Sequence, residues 1–158
     1  MFDWNWYSVS KSDPRAVGLY SRHYSAVKNG KSIADWLAHG ITAPGESITL
    51  MTSDASALFV WLKQQYVAND QPGVNCAVFR NEGNKQSSEL ILLAEQLAWA
   101  KWPGERLYTY VSPNDVESSN PGYCFKCAGW QLVRNGRKPQ LTKSGLLILE
   151  KLPIFLHV

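Results

Sequence analysis

The sequence predicts a mixed α/β (α+β) fold: one domain with a central sheet flanked by helices. Three observations carry that expectation. Apolar or alternating runs of strand length recur along the chain, each bounded by polar or Gly/Pro-containing segments. Helical patterns fall between those runs, giving the order β-α-β-β-β-α-β-α-β-β. The composition, 45% hydrophobic and 18% charged over 158 residues, suffices for one core without metals or disulfides and is too apolar for a disordered chain.

Each element has a local reason. Trp4 to Ser10 alternates loosely and carries Trp, Tyr and Val, which marks a first strand. Ser12-Asp13-Pro14 starts a helix, with Ser or Asp as N-cap and Pro at the first helical position. That helix is predicted from Pro14 to Tyr24, with Val17, Leu19 and Tyr20 facing inward. Ser25–Ser32 reads as a polar, basic loop, and Ile33–Leu37 as a short helix or irregular segment. Ala43-Pro44-Gly45-Glu46 is a turn. Ser47–Thr52 and Leu58–Gln65 are strands of a hairpin closed by Ser53-Asp54-Ala55-Ser56. Gly73–Arg80 is an apolar strand. Ser88–Trp102 is apolar around most of its circumference and reads as a buried helix. Arg106–Val111 is the next strand, and a short helix leads from Asn120-Pro121-Gly122 to Gly129-Trp130. Gln131–Arg134 is a strand, Asn135-Gly136 a turn and Arg137–Ser144 a basic, polar segment. Gly145–Lys151 is an apolar strand ended by Pro153, and the tail Ile154–Val158 is expected to pack against the body.

The totals narrow the function classes. No run approaches the ~20 apolar residues of a membrane span, and the N-terminus lacks an apolar signal segment. The expectation is a cytoplasmic protein with no membrane partner. The three cysteines are an odd number and read as reduced thiols. A net charge of +3 is compatible with a polyanionic partner without demanding one. Seven Trp and seven Tyr either fill the core or line a groove where bases and flat cofactors stack.

Four motifs are candidates for chemistry. The polar loop Arg80-Asn81-Glu82-Gly83-Asn84-Lys85-Gln86-Ser87 enters a helix, whose first N–H groups lack intrahelical partners and suit an anion. A merely capped helix reads the same way. Arg22-His23-Tyr24-Ser25 puts an imidazole beside a phenol at the end of the first predicted helix. There His23 is either a general base or a cation on the helix dipole. Asn120-Pro121-Gly122-Tyr123 is either punctuation or a polar clamp with a phenol. Cys124-Phe125-Lys126-Cys127 has metal-like spacing but lacks the other two ligands of a structural zinc, so buried thiols beside the sheet are expected and no metal is assigned.

Taken together these segments resemble the GNAT N-acyltransferase superfamily. That fold has a central strand, a loop for the acyl-CoA pyrophosphate, a helix, a strand splayed from the first, a Val-x-Pro segment, and a second helix ending in a Gly-aromatic pair. The matching segments here are Val74–Phe79, Arg80–Ser88, Ser88–Trp102, Leu107–Val111, Val111-Ser112-Pro113 and Gly129-Trp130. Two departures stand out: Lys85 occupies a position that is usually small, and Phe125 occupies one that often carries a tyrosine general acid. Within the superfamily the chain resembles the Mom DNA-modification proteins of Mu-like phages. That likeness rests on Arg22-His23-Tyr24-Ser25, Phe79-Arg80-Asn81-Glu82-Gly83 and Asn120-Pro121-Gly122-Tyr123-Cys124-Phe125-Lys126.

The resemblance implies a GNAT-like acyltransferase domain over residues 1–158, of phage or prophage type, that uses acetyl-CoA or another acyl-CoA. It further implies modification of the exocyclic N6 amine of adenine in DNA. The expected cofactor contacts are Cys76, Val78, Phe79, Arg80, Asn81, Gly83, Asn84, Ser87, Ser88 and Asn120. His23 is the expected base, Tyr123 the proton donor and Tyr24 a substrate-positioning group. Arg22, Lys28, Lys31 and Trp36 are the expected DNA contacts. Two other readings stay open: an ordinary N-acetyltransferase acting on a protein or small-molecule amine, and a non-catalytic module that binds CoA or nucleic acid.

Overall fold

A computed structural model describes residues 5–27, 30–64, 71–114 and 120–154. Its elements are β1 (Trp6–Val9), α1 (Pro14–Ser21), α2 (Tyr24–Val27), α3 (Ile33–His39), β2 (Gly45–Thr52), β3 (Ala57–Gln64) and β4 (Val74–Asn81). They continue as α4 (Ser87–Lys101), β5 (Leu107–Val111), α5 (Tyr123–Cys127), β6 (Gln131–Leu132), β7 (Arg134–Asn135), β8 (Lys138–Pro139) and β9 (Leu147–Lys151). The mixed α/β expectation stands. A seven-stranded sheet runs β1-β2-β3-β4-β5-β9-β6, and β7-β8 form a separate two-stranded ribbon. Every pair in the large sheet is antiparallel except β4 with β5.

The sheet is covered on both faces. One core holds Phe59, Trp61, Val74 and Cys76 of the sheet against Leu90, Ile91, Ala94 and Ala98 of α4, with Phe125 and Trp130. The other holds Met51, Leu58, Val60 and Val78 against Val17, Leu19 and Tyr20 of α1, with Trp36 of α3. This explains why β3 reads as an unbroken apolar run: six consecutive positions from Ala57 to Leu62 are buried, since residues of either parity meet a helical layer.

Much of the tryptophan load belongs to these cores. Trp6 and Trp61 donate their indole N–H groups to the Leu90 and Ala94 carbonyls of α4, at 2.9 and 2.8 Å. Trp130 donates to the buried Glu95 carboxylate at 3.1 Å. These bonds fix α4 on the sheet while satisfying indoles that burial would otherwise leave unpaired.

The local structure departs from expectation in several places. α1 ends at Ser21, with Arg22 as its C-cap, so His23 and Tyr24 are not its last turn. His23 N–H closes onto the Tyr20 carbonyl and a second short helix begins at Tyr24. Of the two readings open for the Ile33 segment, the short helix holds, and it runs on to His39. Ser32 caps it and Asp35 reaches back to the Ser32 N–H, a reciprocal pair that closes both orphan donors. Replacing Ser32 by Ala is expected to cost about 1 kcal/mol, read as a lower urea midpoint with an unchanged slope. The basic segment after β6 is a ribbon turning at Gly136–Arg137, because Asn135 pairs with Lys138. Ile154 is exposed instead of packed; the remainder of the expected tail, 155–158, lies outside the described residues. Among the described residues no helix is long and apolar enough to cross a membrane.

Candidate active site

The site begins with a bulge. Along β3 and β4, Val60 pairs with Val78 but the next residue, Trp61, pairs with Cys76. Ala77 is therefore an extra residue on β4. A bulge bends its strand and interrupts the ladder. On the other side, β4 pairs with β5 through only Val74–Leu107, Asn75–Tyr108 and Cys76–Thr109. The parallel pair ends where the bulge begins, and the two strands separate.

A cleft of about 150 Å³ occupies the opening. Cys76, Ala77, Val78 and Phe79 form one wall, and Thr109, Tyr110 and Val111 the other. Gly122, Cys124 and Phe125 close one side, and His23 and Tyr24 complete the lining. Among the described residues no carboxylate lines it. Thr109 Oγ1 donates to the Cys76 carbonyl at 2.9 Å, fixing the point where the strands part. Gly122 sits at φ +77°, and a Cβ there would lie 2.3 Å from Leu149 Cδ1. Glycine lets the chain turn into α5 against that side chain.

His23 and Tyr24 stack, with ring centroids 4.4 Å apart. His23 is buried, and burial first, then the Arg80 charge, holds its pKa down to about 4. It is neutral near pH 7, which removes the reading of a cation on the helix dipole. Its Nδ1 lies 3.2 Å from the Ser25 backbone N–H and 2.7 Å from Ser25 Oγ. A backbone N–H only donates, so Nδ1 is the acceptor. The proton of the neutral ring is then on Nε2.

The loop into α4 is organised by Asn81. Its amide donates to the Lys85 carbonyl at 2.7 Å and to Ser87 Oγ at 3.0 Å, while its oxygen accepts the Gly83 N–H at 3.0 Å. The β2–β3 turn braces the loop from below, where the Ser56 carbonyl accepts the Glu82 N–H. A Cβ on Gly83 would meet Ser56 Oγ at 2.3 Å. No side chain caps α4, whose N-cap is Gln86, one residue earlier than the sequence suggests. Asn84 is exposed, and Ser87 and Ser88 are half-buried in the first turn.

Arg22 and Arg80 share one carboxylate. Arg22 grips Glu82 with Nε and Nη2 at 2.7 and 3.0 Å, and Arg80 Nε donates to the same Oε2. These two guanidinium groups hold the Glu82 pKa down to about 2. The cluster ties the end of α1 to the loop beyond β4.

Other expected site residues fall elsewhere. Trp36 is core, 5% exposed and edge-on to Tyr20 at 4.9 Å, so it does not offer a face to a base. Tyr123 is 61% exposed and outside the cleft lining. It interacts with Cys127 one turn on, which raises its pKa. Phe125 is the α5 aromatic that reaches the cleft. Asn120 is exposed and accepts the Lys126 ammonium at 2.6 Å. Lys31 is exposed, and Lys28 lies outside the described residues. Cys76 is buried and Cys124 half-buried, their thiols pushed up in pKa by burial, whereas Cys127 is exposed and departs from the expected packing. Among the described residues no three His, Cys, Asp or Glu groups cluster as metal ligands. The sequence reading missed Thr109, Tyr110 and Val111 as the facing wall. Their signal is topological, since only the β4–β5 pairing brings them opposite the β4 wall.

These features define an α+β protein with a cleft at the divergence of its parallel strand pair. Comparison with family models, with curated proteins and with solved structures finds no match for the chain.

Proposed function

We propose that the chain is a GNAT-like, acyl-CoA-dependent N-acyltransferase whose acceptor is the exocyclic N6 amine of adenine in DNA, as in the Mom-like resemblance. The observation that carries this reading is the separation of β4 from β5 just ahead of an uncapped helix. The unpaired strand edge at Ala77–Phe79 offers backbone groups to a pantetheine chain. With the Glu82 and Gly83 N–H groups held by Ser56 and Asn81, the later part of the Asn81–Ser88 loop and the first turn of α4 offer N–H groups to the pyrophosphate.

The cleft's chemistry supports this acceptor class. A lysine or aminoglycoside amine arrives protonated and is best met by a carboxylate, and among the described residues none lines the cleft. The adenine amine is neutral, so no base is needed to unmask it, though delocalisation into the ring makes it a weak nucleophile. The remaining requirement is help for the thioester. In the transfer the N–C bond forms and the C–S bond breaks. The proton lost by nitrogen ends on the CoA sulfur. His23, carrying its proton on Nε2, serves as the hydrogen-bond donor to the developing negative charge. This replaces the base role expected from the sequence. Tyr24 holds the imidazole face and borders the acceptor. An adenine in a duplex reaches such a cleft only when flipped out of the stack.

The reading is tested by nucleoside mass spectrometry on plasmid DNA from cells expressing the protein, beside an empty-vector control. A new, heavier deoxyadenosine is expected, and its mass identifies the transferred group. Calorimetry of the purified protein with acetyl-CoA forms the second arm. Binding of CoA with unmodified DNA moves the assignment to another amine acceptor. A second reading, a non-catalytic module, is favoured by Phe125 standing in the cleft while Tyr123 stands outside it. CoA or DNA binding without any transfer would establish it.

A further inference from the structure

The ribbon β7–β8 stands apart from the cores and its position follows from strand register. β9 runs antiparallel to β5, with Leu107 opposite Lys151 and Val111 opposite Leu147. β6 pairs Gln131 with Glu150 and Leu132 with Leu149. The chain leaving β6 therefore travels toward the Leu147 end of β9, which is the C-terminal end of β5. Val133 N–H still bonds the Ile148 carbonyl, and the returning strand re-enters by the Leu141–Leu147 bridge. The ribbon thus leaves the sheet at the end where β4 and β5 have parted and the cleft opens.

Its chemistry is one-sided. From Gln131 to Leu149 the sequence has no Asp or Glu, and it carries Arg134, Arg137, Lys138 and Lys143. All six residues from Arg134 to Pro139 are exposed, as is Lys143. Among the described residues none of these four cations pairs with a carboxylate, nor do scattered lysines such as Lys11 and Lys101, whereas Arg22, Arg80, Lys63, Arg106 and Lys151 all do; only here do the unpaired cations fall in one acid-free stretch. Arg134 instead donates to the Arg137 carbonyl at 3.1 Å and stiffens the turn. Arg134, Arg137 and Lys138 lie on the ribbon and its turn, and Lys143 lies just beyond it; an exposed run of one sign suits a polyanion. A two-stranded ribbon also fits the major groove of duplex DNA.

We infer that the β7–β8 ribbon is a DNA-docking element that lies along the duplex and holds a target nucleotide at the cleft. This rests on the nucleic-acid acceptor proposed above and assigns the binding surface to Arg134, Arg137, Lys138 and Lys143. It differs from the surface expected at Arg22, Lys28, Lys31 and Trp36, of which Arg22 is held by Glu82 and Trp36 is buried.

The experiment measures binding to a short fluorescein-labelled duplex by anisotropy, from about 50 to 200 mM salt. It compares the full chain with a variant carrying Arg134→Gln, Arg137→Gln, Lys138→Gln and Lys143→Gln. The substituted side chains are exposed, and calorimetry with acetyl-CoA reports whether the cleft is intact. The variant is expected to lose at least about tenfold in affinity at low salt. Its log–log salt slope should be shallower by about 3–4, near 0.9 for each cation that meets a phosphate. Equal DNA binding by both proteins overturns the ribbon and leaves the acyltransferase reading in place. Failure of the unsubstituted chain to bind DNA while it binds acetyl-CoA overturns both the ribbon and the DNA acceptor. Ribbon-dependent DNA binding without any acetyl-CoA binding supports the ribbon and overturns the acyltransferase reading.

Discussion

Replacing Lys151 by Met is expected to destabilise the chain by about 3–5 kcal/mol near neutral pH, the cost of stranding a buried charge. Glu95 is 2% exposed on α4. Its Oε1 lies 2.6 Å from Lys151 Nζ on β9, and its Oε2 accepts the Trp130 indole. Lys151 also donates to the Ala128 carbonyl at 2.7 Å, so one ammonium joins α4, β9 and the chain leaving α5. Burial raises the Glu95 pKa even though Lys151 and Trp130 both lower it. Without Lys151 it rises further. A carboxyl with a raised folded pKa stabilises the fold most below its unfolded value, and that contribution is lost as pH rises through the folded pKa. The Lys151→Met defect should therefore be largest at neutral pH and shrink on acidification. Urea denaturation at several pH values measures this. Adding Glu95→Gln should recover much of the loss, since no charge then remains buried. A pH-independent defect in Lys151→Met would show that packing, not the ion pair, is what Lys151 supplies.

In the acyl transfer proposed above, His23→Ala is expected to lower the rate by about 10²–10³-fold, the range for removing one donor to developing negative charge. The pattern across substitutions and pH separates the two roles. With Nδ1 accepting from Ser25, the ring presents an Nε2 donor, and glutamine can place an amide N–H near the same point. His23→Gln should therefore keep more activity than His23→Ala, whereas loss of a base would leave both equally inactive. The pH profile of kcat/KM should lack an inflection near 6.5, because protonation is deferred to about 4. For stability the sign is opposite to that of Glu95. A histidine with a depressed folded pKa adds stability above its unfolded value, and this is lost as pH falls through the folded pKa. His23→Gln should accordingly flatten the acid limb of the stability profile. An inflection near 6.5 that disappears in His23→Gln would restore the general-base role.

Strands, the long helix and its polar entry were legible because their signals are local. Asp13-Pro14 starts α1, the apolar run from Leu90 marks α4, and Gly122 marks the turn into α5. The Arg80–Ser88 loop could be placed without coordinates, since loop composition and helix entry lie in one stretch of chain. Side-chain direction was less legible. Trp36 and Tyr123 are both aromatic residues near polar neighbours, yet one is packed on Tyr20 and the other faces solvent beside Cys127. Composition does not distinguish them because an amphipathic ring suits either setting. His23 was placed at a helix end, but the early stop of α1 at Ser21 turned it inward, with its charge suppressed by burial.

By itself the sequence determined a mixed α/β chain, the order of its main elements, and a polar loop ahead of a buried helix. Periodicity, caps and turn residues act over a few positions and survive without tertiary context. The tertiary structure decided that β4 and β5 are neighbours and that Ala77 is extra on its strand. It also decided that Glu82 claims both Arg22 and Arg80, and that the basic ribbon leaves the sheet where the cleft opens. Those are relations between segments far apart in the chain. Pairing register and the competition for buried partners set them, and neither exists until the sheet has formed.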